Sequence, residues 1–241
     1  MKLLVSVRSV DEALLAAEGG ADFIDLKEPG QGALGGLPAA TIRSITGALR
    51  RQGSGLALSA TIGDLAMHET DRIAACVDAV GACGVDYVKV GILRAPQAQG
   101  VLAALAASGW PVVPVFIADE GFDWAAVEHA CALGFPGVMA DTQDKLAGSL
   151  FDAVPLDALH RFVATVRAAG PMVGLAGALR TTHEPQLRAL APDFAGFRTA
   201  VCAGDRSSAL DPQRLRSLVA LMHGPRAAEP GPHLQPSANR A

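Results

Sequence analysis

The chain has 241 residues, half of them hydrophobic, and a formal net charge of −4 at neutral pH. This composition excludes a disordered chain, and the length is enough for one large α/β domain. There is no basic stripe to suggest a nucleic-acid partner, and no apolar run reaches the length of a membrane span.

Short β-rich runs alternate with alanine-rich helical stretches along the whole chain. The predicted strands cover residues 2–7, 23–27, 56–62, 86–92, 111–118, 137–142, 172–179 and 195–201. The predicted helices cover residues 11–19, 38–52, 68–83, 96–107, 123–133, 155–168, 184–190 and 211–222. Ser9 and Asp211 stand at two helix starts, and glycines follow several helix ends. The repeated alternation predicts a single-domain (β/α)8 TIM barrel over residues 1–222.

A doubly wound open sheet is the alternative architecture. It is disfavoured because no GxGxxG motif follows the first strand, so the dinucleotide fingerprint is missing. The N-terminal MKLLVSV is interpreted as the first strand of a cytoplasmic protein, because Arg8 ends the apolar run and two acidic residues follow soon after. Residues 223–241 are rich in Pro, Ala and Gly without periodicity, which predicts a flexible tail.

The sequence holds four lysines against sixteen arginines, and three of the lysines follow or end predicted strands. Lys27 closes the second strand, Lys89 lies late in the fourth, and Lys145 follows the sixth. Catalytic groups of a barrel lie at this end, and alternate strands fill one interior layer. We therefore expect the three amines to converge. A lysine amine, unlike a guanidinium, can lose its proton and form a Schiff base.

Side-chain alternation places carboxylates beside these amines. Asp25 and Lys27 share one face of their strand, Lys89 points inward, and Asp141 ends the sixth strand. The alternative is that these charged residues form ion pairs that only fill the mouth of the barrel. Because buried ion pairs are poor stabilisers, a functional role is favoured. Adjacent cations and partial desolvation are expected to lower the pKa of one lysine, so that it attacks a carbonyl. Asp25 or Asp141 would then shuttle protons.

The last two strand-to-helix loops of (β/α)8 enzymes commonly bind phosphate. Here they contain Gly177, which lets the backbone approach a ligand closely, and then Gly204, Asp205 and Arg206. For GLAG, the alternative is a strand that needs small residues for packing. Arg8, just after the first strand, is a candidate for a second contact to an anion.

The glycine-rich segment 28–36, EPGQGALGG, follows Lys27 directly. It is interpreted as a mobile lid, because its glycines are too many for a fixed helix. No HxH or HExxH motif occurs and the four cysteines lack CxxC spacing, so neither a metal site nor a cofactor is expected. The cysteines are interpreted as buried reduced thiols.

The stretch VSVRSVDEALLAAEGGADFIDLKEPGQGALGGL, with DYVKVGI, MADTQDK, GLAGAL and FRTAVC, resembles the (5-formylfuran-3-yl)methyl phosphate synthase family of methanofuran biosynthesis. The resemblance runs over about residues 1–222. It implies a lyase that condenses two molecules of glyceraldehyde 3-phosphate, with loss of phosphate and water. It also implies that Lys27 forms the Schiff base, that Lys89 accepts a proton, and that Asp141 and Lys145 belong to the active site.

Two other functions stay open at this level. A generic Schiff-base aldolase predicts the same Lys27 adduct with a different product, and a non-catalytic barrel that binds phosphorylated metabolites predicts binding without turnover. A triose isomerase is disfavoured, because no strand end offers its glutamate base and neutral histidine. The expected partner is the small molecule glyceraldehyde 3-phosphate, with no nucleic acid or membrane, and the protein is expected to be a homo-oligomer.

Overall fold

The computed structural model describes residues 1–224, which contain a closed barrel of parallel strands. Each strand pairs with the next, and the first closes the ring by pairing with the last. The (β/α)8 barrel is therefore confirmed and the open sheet excluded. The strands are β1 (Lys2–Val7), β2 (Phe23–Leu26), β3 (Ala57–Thr61), β4 (Tyr87–Ile92), β5 (Val112–Ile117), β6 (Gly137–Asp141), β7 (Met172–Leu175) and β8 (Phe194–Phe197).

Helices surround this barrel, and their starts follow the capping signals of the sequence. The Ser9 side chain accepts the backbone N–H of Glu12 at the first helix, and Asp211 accepts two N–H groups at the last. No helix within residues 1–224 is long and apolar enough to cross a membrane. The helices are α1 (Val10–Glu18), α2 (Ala39–Arg51), α3 (Thr70–Gly81), α4 (Ala98–Ala107), α5 (Trp124–Ala132), α6 (Leu150–Ala153), α7 (Leu156–Ala169), α8 (Glu184–Leu190) and α9 (Pro212–His223).

The last two strands end earlier than the sequence predicts. Gly177 and Ala178 adopt φ values of +111° and +44°, which an extended strand does not allow, so β7 stops before them. A 3-10 turn at Thr199–Val201 likewise ends β8. The predicted tail begins at residue 223, which still belongs to α9, and the His223 ring contacts Asp22 at 2.7 Å. Residues 225–241 lie outside the described part of the chain.

The core has two apolar layers separated by the strands. On β2, Ile24 and Leu26 face the layer between sheet and helices, whereas Asp25 points into the barrel as the alternation predicts. Inside the barrel, Leu4, Val113, Val115, Met139 and Phe194 pack together. The barrel is thus apolar in its lower interior, and polar groups gather at the carboxyl ends of its strands.

Candidate active site

Three lysines and two aspartates meet in the mouth of the barrel. Asp25 lies on β2 and Lys27 follows that strand directly, Lys89 lies on β4, Asp141 ends β6, and Lys145 lies in the next loop. All of these residues line one open cavity in the barrel mouth. The structure therefore brings together the five residues that the sequence nominated for catalysis.

Asp25 and Lys89 form a buried ion pair. The Nζ of Lys89 donates to Oδ1 of Asp25 at 3.0 Å, and the Ser59 hydroxyl donates to the same oxygen at 2.7 Å. The Ser6 hydroxyl donates to Oδ2 at 3.2 Å. Burial by itself raises the pKa of Asp25, but Lys89, Lys27 and the hydrogen bonds outweigh burial and hold that pKa below its ordinary value. Asp25 is therefore an ionised carboxylate in a fixed orientation.

Asp141 and Lys145 form a second pair on the other side of the mouth. The Nζ of Lys145 contacts Oδ1 of Asp141 and the carbonyl oxygen of Thr142. The backbone N–H of Thr142 donates to the same carboxylate oxygen at 2.8 Å. Burial raises the pKa of Asp141, but Lys145 and Lys27 outweigh burial, so the pKa is lowered. The mouth thus holds two carboxylates, each with its own ammonium partner.

Lys27 differs from the other two lysines in its contacts. Its Nζ lies 3.5 Å from the carbonyl oxygen of Ala33. Within residues 1–224, no carboxylate oxygen lies within 4.0 Å of this nitrogen, whereas Lys89 and Lys145 each hold an aspartate. Of these three amines, Lys27 is therefore the one that forms no close ion pair within residues 1–224.

Burial lowers the pKa of Lys27 to about 8; Asp141 and Asp25 oppose this shift, and Lys145 and Lys89 add to it. Both causes expected from the sequence, desolvation and adjacent cations, lower the pKa of Lys27; burial is the larger of the two, and the two carboxylates act more strongly than the two lysines. With a pKa of about 8, about one molecule in ten carries a neutral amine at pH 7. A nucleophilic amine is therefore available near neutral pH.

Two of the residues nominated for phosphate binding line the cavity, namely Gly177 and Arg206. A Cβ at position 177 would lie 2.9 Å from the Thr142 hydroxyl oxygen, and its φ is +111°, so both space and backbone favour glycine. Arg206 donates from Nη2 to the carbonyl oxygen of Gly32 at 3.0 Å. Burial lowers the pKa of Arg206, yet a guanidinium keeps its charge in proteins.

The other three residues nominated for phosphate binding are not among those lining the cavity. Arg8 faces two carboxylates instead, Glu12 at 3.8 Å and Glu28 at 4.0 Å. Asp205 accepts backbone N–H groups within its own turn, and Gly204 packs against the Ser208 side chain in that turn. Gly204 and Asp205 thus shape the loop that carries Arg206.

The sequence analysis missed Arg198, which is buried at the end of β8 and lines the cavity. Its Nη1 and Nη2 donate to the two Glu12 carboxylate oxygens at 2.5 and 3.1 Å. Its remaining N–H groups donate to the carbonyl oxygens of Ser6, Ser208 and Arg206 at 3.1, 2.7 and 2.9 Å. All five N–H donors of this guanidinium thus have acceptors, so Arg198 fixes the Arg206 loop. The inward alternation of Gly196 and Arg198 along β8 was the signal available for finding it.

Segment 28–36 is buried at Pro29 and at residues 33–35, with residues 30–32 exposed, in contrast to the mobile lid that was expected. Ala33 and Leu34 are 0% and 1% exposed, and Leu34 joins the apolar cluster inside the barrel. Their backbone N–H groups donate to Asp64, a residue of the β3 loop that the sequence analysis did not single out. The segment therefore packs beside Lys27 at the edge of the mouth.

The thiols and possible metal ligands lie outside this arrangement. Cys83 and Cys202 are buried as expected, whereas Cys76 and Cys131 are partly exposed. Among residues 1–224, no group of three or more His, Cys, Asp or Glu side chains is arranged to hold a metal ion. What the mouth offers is an amine, two carboxylates and a guanidinium, a set suited to carbonyl chemistry on an anionic molecule.

A (β/α)8 barrel with such groups at the carboxyl ends of its strands is typical of a barrel enzyme. The chain belongs to the 4-HFC-P synthase family, whose sequence profile matches residues 3–219. The resemblance carried by the sequence motifs is thereby confirmed. Because the curated relatives are named as synthases, the protein is an enzyme.

Two relatives and one solved structure illustrate this similarity. A Methylorubrum extorquens protein, provisionally named (5-formylfuran-3-yl)methyl phosphate synthase, is 41% identical over 228 residues, 94% of each chain. The Archaeoglobus fulgidus (5-formylfuran-3-yl)methyl phosphate synthase is 35% identical, over 93% of this chain and 100% of its own. Phosphoribosyl anthranilate isomerase from Thermus thermophilus superposes with a TM-score of 0.63 at 17% identity, covering 92% of this chain and 98% of that one. This last likeness concerns the fold alone.

Proposed function

We propose that this protein is a (5-formylfuran-3-yl)methyl phosphate synthase of methanofuran biosynthesis that joins two molecules of glyceraldehyde 3-phosphate through a Schiff base on Lys27. The observation that carries the proposal is the state of Lys27, which is buried in the mouth with a pKa of about 8. Lys89 and Lys145, each held by an aspartate, are weaker candidates for the nucleophile.

The first half of the proposed reaction activates one triose. The neutral Lys27 amine adds to its aldehyde carbon, and loss of water gives an iminium ion. The iminium acidifies the proton on C2, which the Asp25–Lys89 pair accepts. The resulting electron pair forms the C2–C3 double bond and expels phosphate from C3. This leaves an enol whose C3 is nucleophilic.

The second half builds the ring, and the carbon skeleton of the product defines which atoms join. C3 of the activated triose bonds to C2 of the second triose, which reacts as its keto tautomer after a proton shift from C2 to C1. The C1 hydroxyl of the second triose then closes the ring on C2 of the first. Hydrolysis frees Lys27, and two dehydrations give the furan. Two trioses thus yield one furan aldehyde phosphate, one phosphate and two waters.

The retained phosphate is assigned to Arg206 and the backbone beside Gly177. This assignment is supported by their place on the cavity lining at the β7 and β8 ends. Arg198 is not assigned to the phosphate, because its N–H donors already have acceptors.

The test is reductive trapping with glyceraldehyde 3-phosphate and borohydride, followed by peptide mass spectrometry. Wild type is expected to carry the adduct on Lys27 and to release one phosphate for every two trioses consumed, with a furan aldehyde as product. Lys27→Arg should form no adduct and release no phosphate or furan aldehyde, while remaining folded. The matched control is Lys2→Arg, because Lys2 is an exposed lysine at the start of β1, the opposite end of the barrel.

Other outcomes separate the alternatives. An adduct on Lys27 without a furan product would indicate an aldolase acting on another sugar phosphate. Binding without adduct or turnover would indicate a non-catalytic barrel, and full turnover in Lys27→Arg would refute the Schiff base. The expected cytoplasmic location and homo-oligomeric state stay predictions, and the oligomeric state is measurable by light scattering of the full chain.

A further inference from the structure

Asp64, in the loop after β3, does not line the cavity in the barrel mouth, but it contacts the segment whose Ala33 carbonyl oxygen faces Nζ of Lys27. We propose that Asp64 is a positioning residue that holds residues 32–35 over Lys27 and so keeps water away from its amine. The inference rests on the proposed function, since it concerns the same nucleophile.

Asp64 holds the segment through two hydrogen bonds to its backbone. Oδ2 of Asp64 accepts the N–H of Ala33 at 2.9 Å, and Oδ1 accepts the N–H of Leu34 at 3.1 Å. A Cβ on Gly32 would lie only 1.8 Å from Oδ2, and Gly32 has a φ of +98°. The carboxylate therefore occupies the space that a side chain at position 32 would need, and the turn is shaped around it.

Residues 32–35 are also anchored at both ends by hydrogen bonds. The carbonyl oxygen of Gly35 accepts the Thr61 hydroxyl at 2.9 Å and the N–H of Glu28 at 2.8 Å. At the other end, Arg206 donates to the carbonyl oxygen of Gly32 at 3.0 Å. Asp64 supplies the contacts between these two anchors, to consecutive N–H groups in the middle of the segment.

The same segment lies directly against Lys27. The carbonyl oxygen of Ala33 faces Nζ of Lys27 at 3.5 Å, and the Leu34 side chain is buried inside the barrel. Burial is the largest cause of the low pKa of Lys27, and the carboxylates that oppose it are Asp141 and Asp25. Asp64 therefore influences the amine through the segment that buries it.

The test uses the variant Asp64→Asn. The rate at which borohydride traps the Lys27 adduct of glyceraldehyde 3-phosphate is measured as a function of pH, in the variant and in wild type. An amide nitrogen cannot accept, so one of the two N–H groups loses its acceptor. Water then reaches Lys27, its pKa rises from about 8 towards 10.5, and the trapping midpoint moves upward. A rise of about one pH unit lowers trapping at pH 7 about tenfold, whereas rates above pH 10.5 match wild type.

The other charged groups around the amine are unchanged in this variant. They are Asp25 from β2, Lys89 from β4, Asp141 and Lys145 from β6 and its loop, and Arg198 and Arg206, which line the same cavity. If Asp64 has only a structural role, Asp64→Asn should lower the melting temperature and leave the midpoint of the trapping pH profile unchanged. The matched control is Asp211→Asn, because Asp211 also accepts two backbone N–H groups, at 2.7 and 3.0 Å, at the start of α9. It should leave the midpoint unchanged.

Two further observations keep the outcomes distinct. If wild type forms no adduct, the proposed function fails, whereas a normal wild-type adduct with an unshifted Asp64→Asn midpoint overturns only this inference. Should Asp64→Asn not fold, hydrogen exchange of wild type decides. The N–H groups of Ala33 and Leu34 are expected to exchange as slowly as those within β2, and exchange at the rate of an unstructured peptide would overturn the proposal.

Discussion

Asp25 and Lys89 form an ion pair 3.0 Å long, with side chains that are 0% and 3% exposed. They lie on β2 and β4, and Ser59 of the intervening β3 pairs with Asp25 in the sheet register and also donates to its carboxylate. Apolar residues of similar volume usually stabilise a protein as well as such a pair or better. The pair is therefore better explained by what it does to substrate and to Lys27 than by stability.

Asp25→Asn is expected to destabilise the protein by about 3–5 kcal/mol, because it leaves the buried Lys89 cation without its carboxylate. It should also move the trapping midpoint below about 8, since Asp25 raises the pKa of Lys27. Urea denaturation and the pH profile of trapping measure the two effects. In the exposed pair of Glu128 with Arg161, 3.6 Å apart, Glu128→Gln should cost less than about 1 kcal/mol. Equal costs for the two variants would contradict the prediction.

Lys27→Met is expected to stabilise the protein at pH 7. The folded pKa of Lys27 is about 8, below its ordinary 10.5, so between these values the unfolded chain binds more protons and wild-type stability rises with pH. Below pH 8 the penalty is constant, on the order of 3 kcal/mol. The advantage of Lys27→Met in urea denaturation should therefore shrink between pH 8 and 10.5. A difference independent of pH would show that Lys27 keeps its ordinary pKa.

Arg206→Gln is expected to raise the KM for glyceraldehyde 3-phosphate about 10- to 100-fold, because a charged hydrogen bond contributes roughly 1.5–3 kcal/mol. Competitive inhibition by inorganic phosphate should weaken to a similar degree, which ties the effect to the phosphate group. Arg216→Gln, on the exposed face of α9, is the control and should change neither constant. Unaltered phosphate inhibition in Arg206→Gln would remove Arg206 from the phosphate site.

Arg198→Lys is expected to lower the free energy of unfolding by about 3 kcal/mol although the charge is kept, because two buried acceptors lose their donors. Lysine has three donors in place of five and cannot match the forked Glu12 carboxylate. Denaturation of Arg198→Lys, Glu12→Gln and the double variant forms a cycle, in which a large coupling energy is expected because the two side chains contact directly. Arg72→Lys, at the exposed pair with Glu69, should be nearly neutral. Additive effects in the cycle would mean that the two side chains do not stabilise each other.

The barrel and the meeting of its lysines were predictable because both depend on local periodicity. Alternation along β2 and β4 is enough to aim Asp25 and Lys89 inward, and parallel strands bring their carboxyl ends together. The early end of β7 was predictable only in part: glycine at position 177 permits a positive φ, but the positive φ of Ala178 has no signal in the sequence, because alanine has no preference for that region.

Contacts between distant loops were also beyond the reach of sequence patterns. Glu12 and Arg198 are 186 positions apart, and no period of the chain relates them. Asp64 reads as an ordinary loop aspartate, and only the folded course of residues 32–35 brings two N–H groups to its carboxylate. A glycine-rich segment is also ambiguous by itself, since the same residues suit a mobile loop and a tightly packed one.

The placement of Lys2 has a practical consequence for handling the protein. It is exposed at the start of β1 beside the N-terminal amine, about 20 Å along the strand from the catalytic end. The other three lysine side chains are at most 7% exposed. An amine-reactive resin or sensor surface would therefore bind the molecule through the end of the barrel where the strands begin. The opposite end, which carries the candidate active site, would then face the solution without any engineered tag.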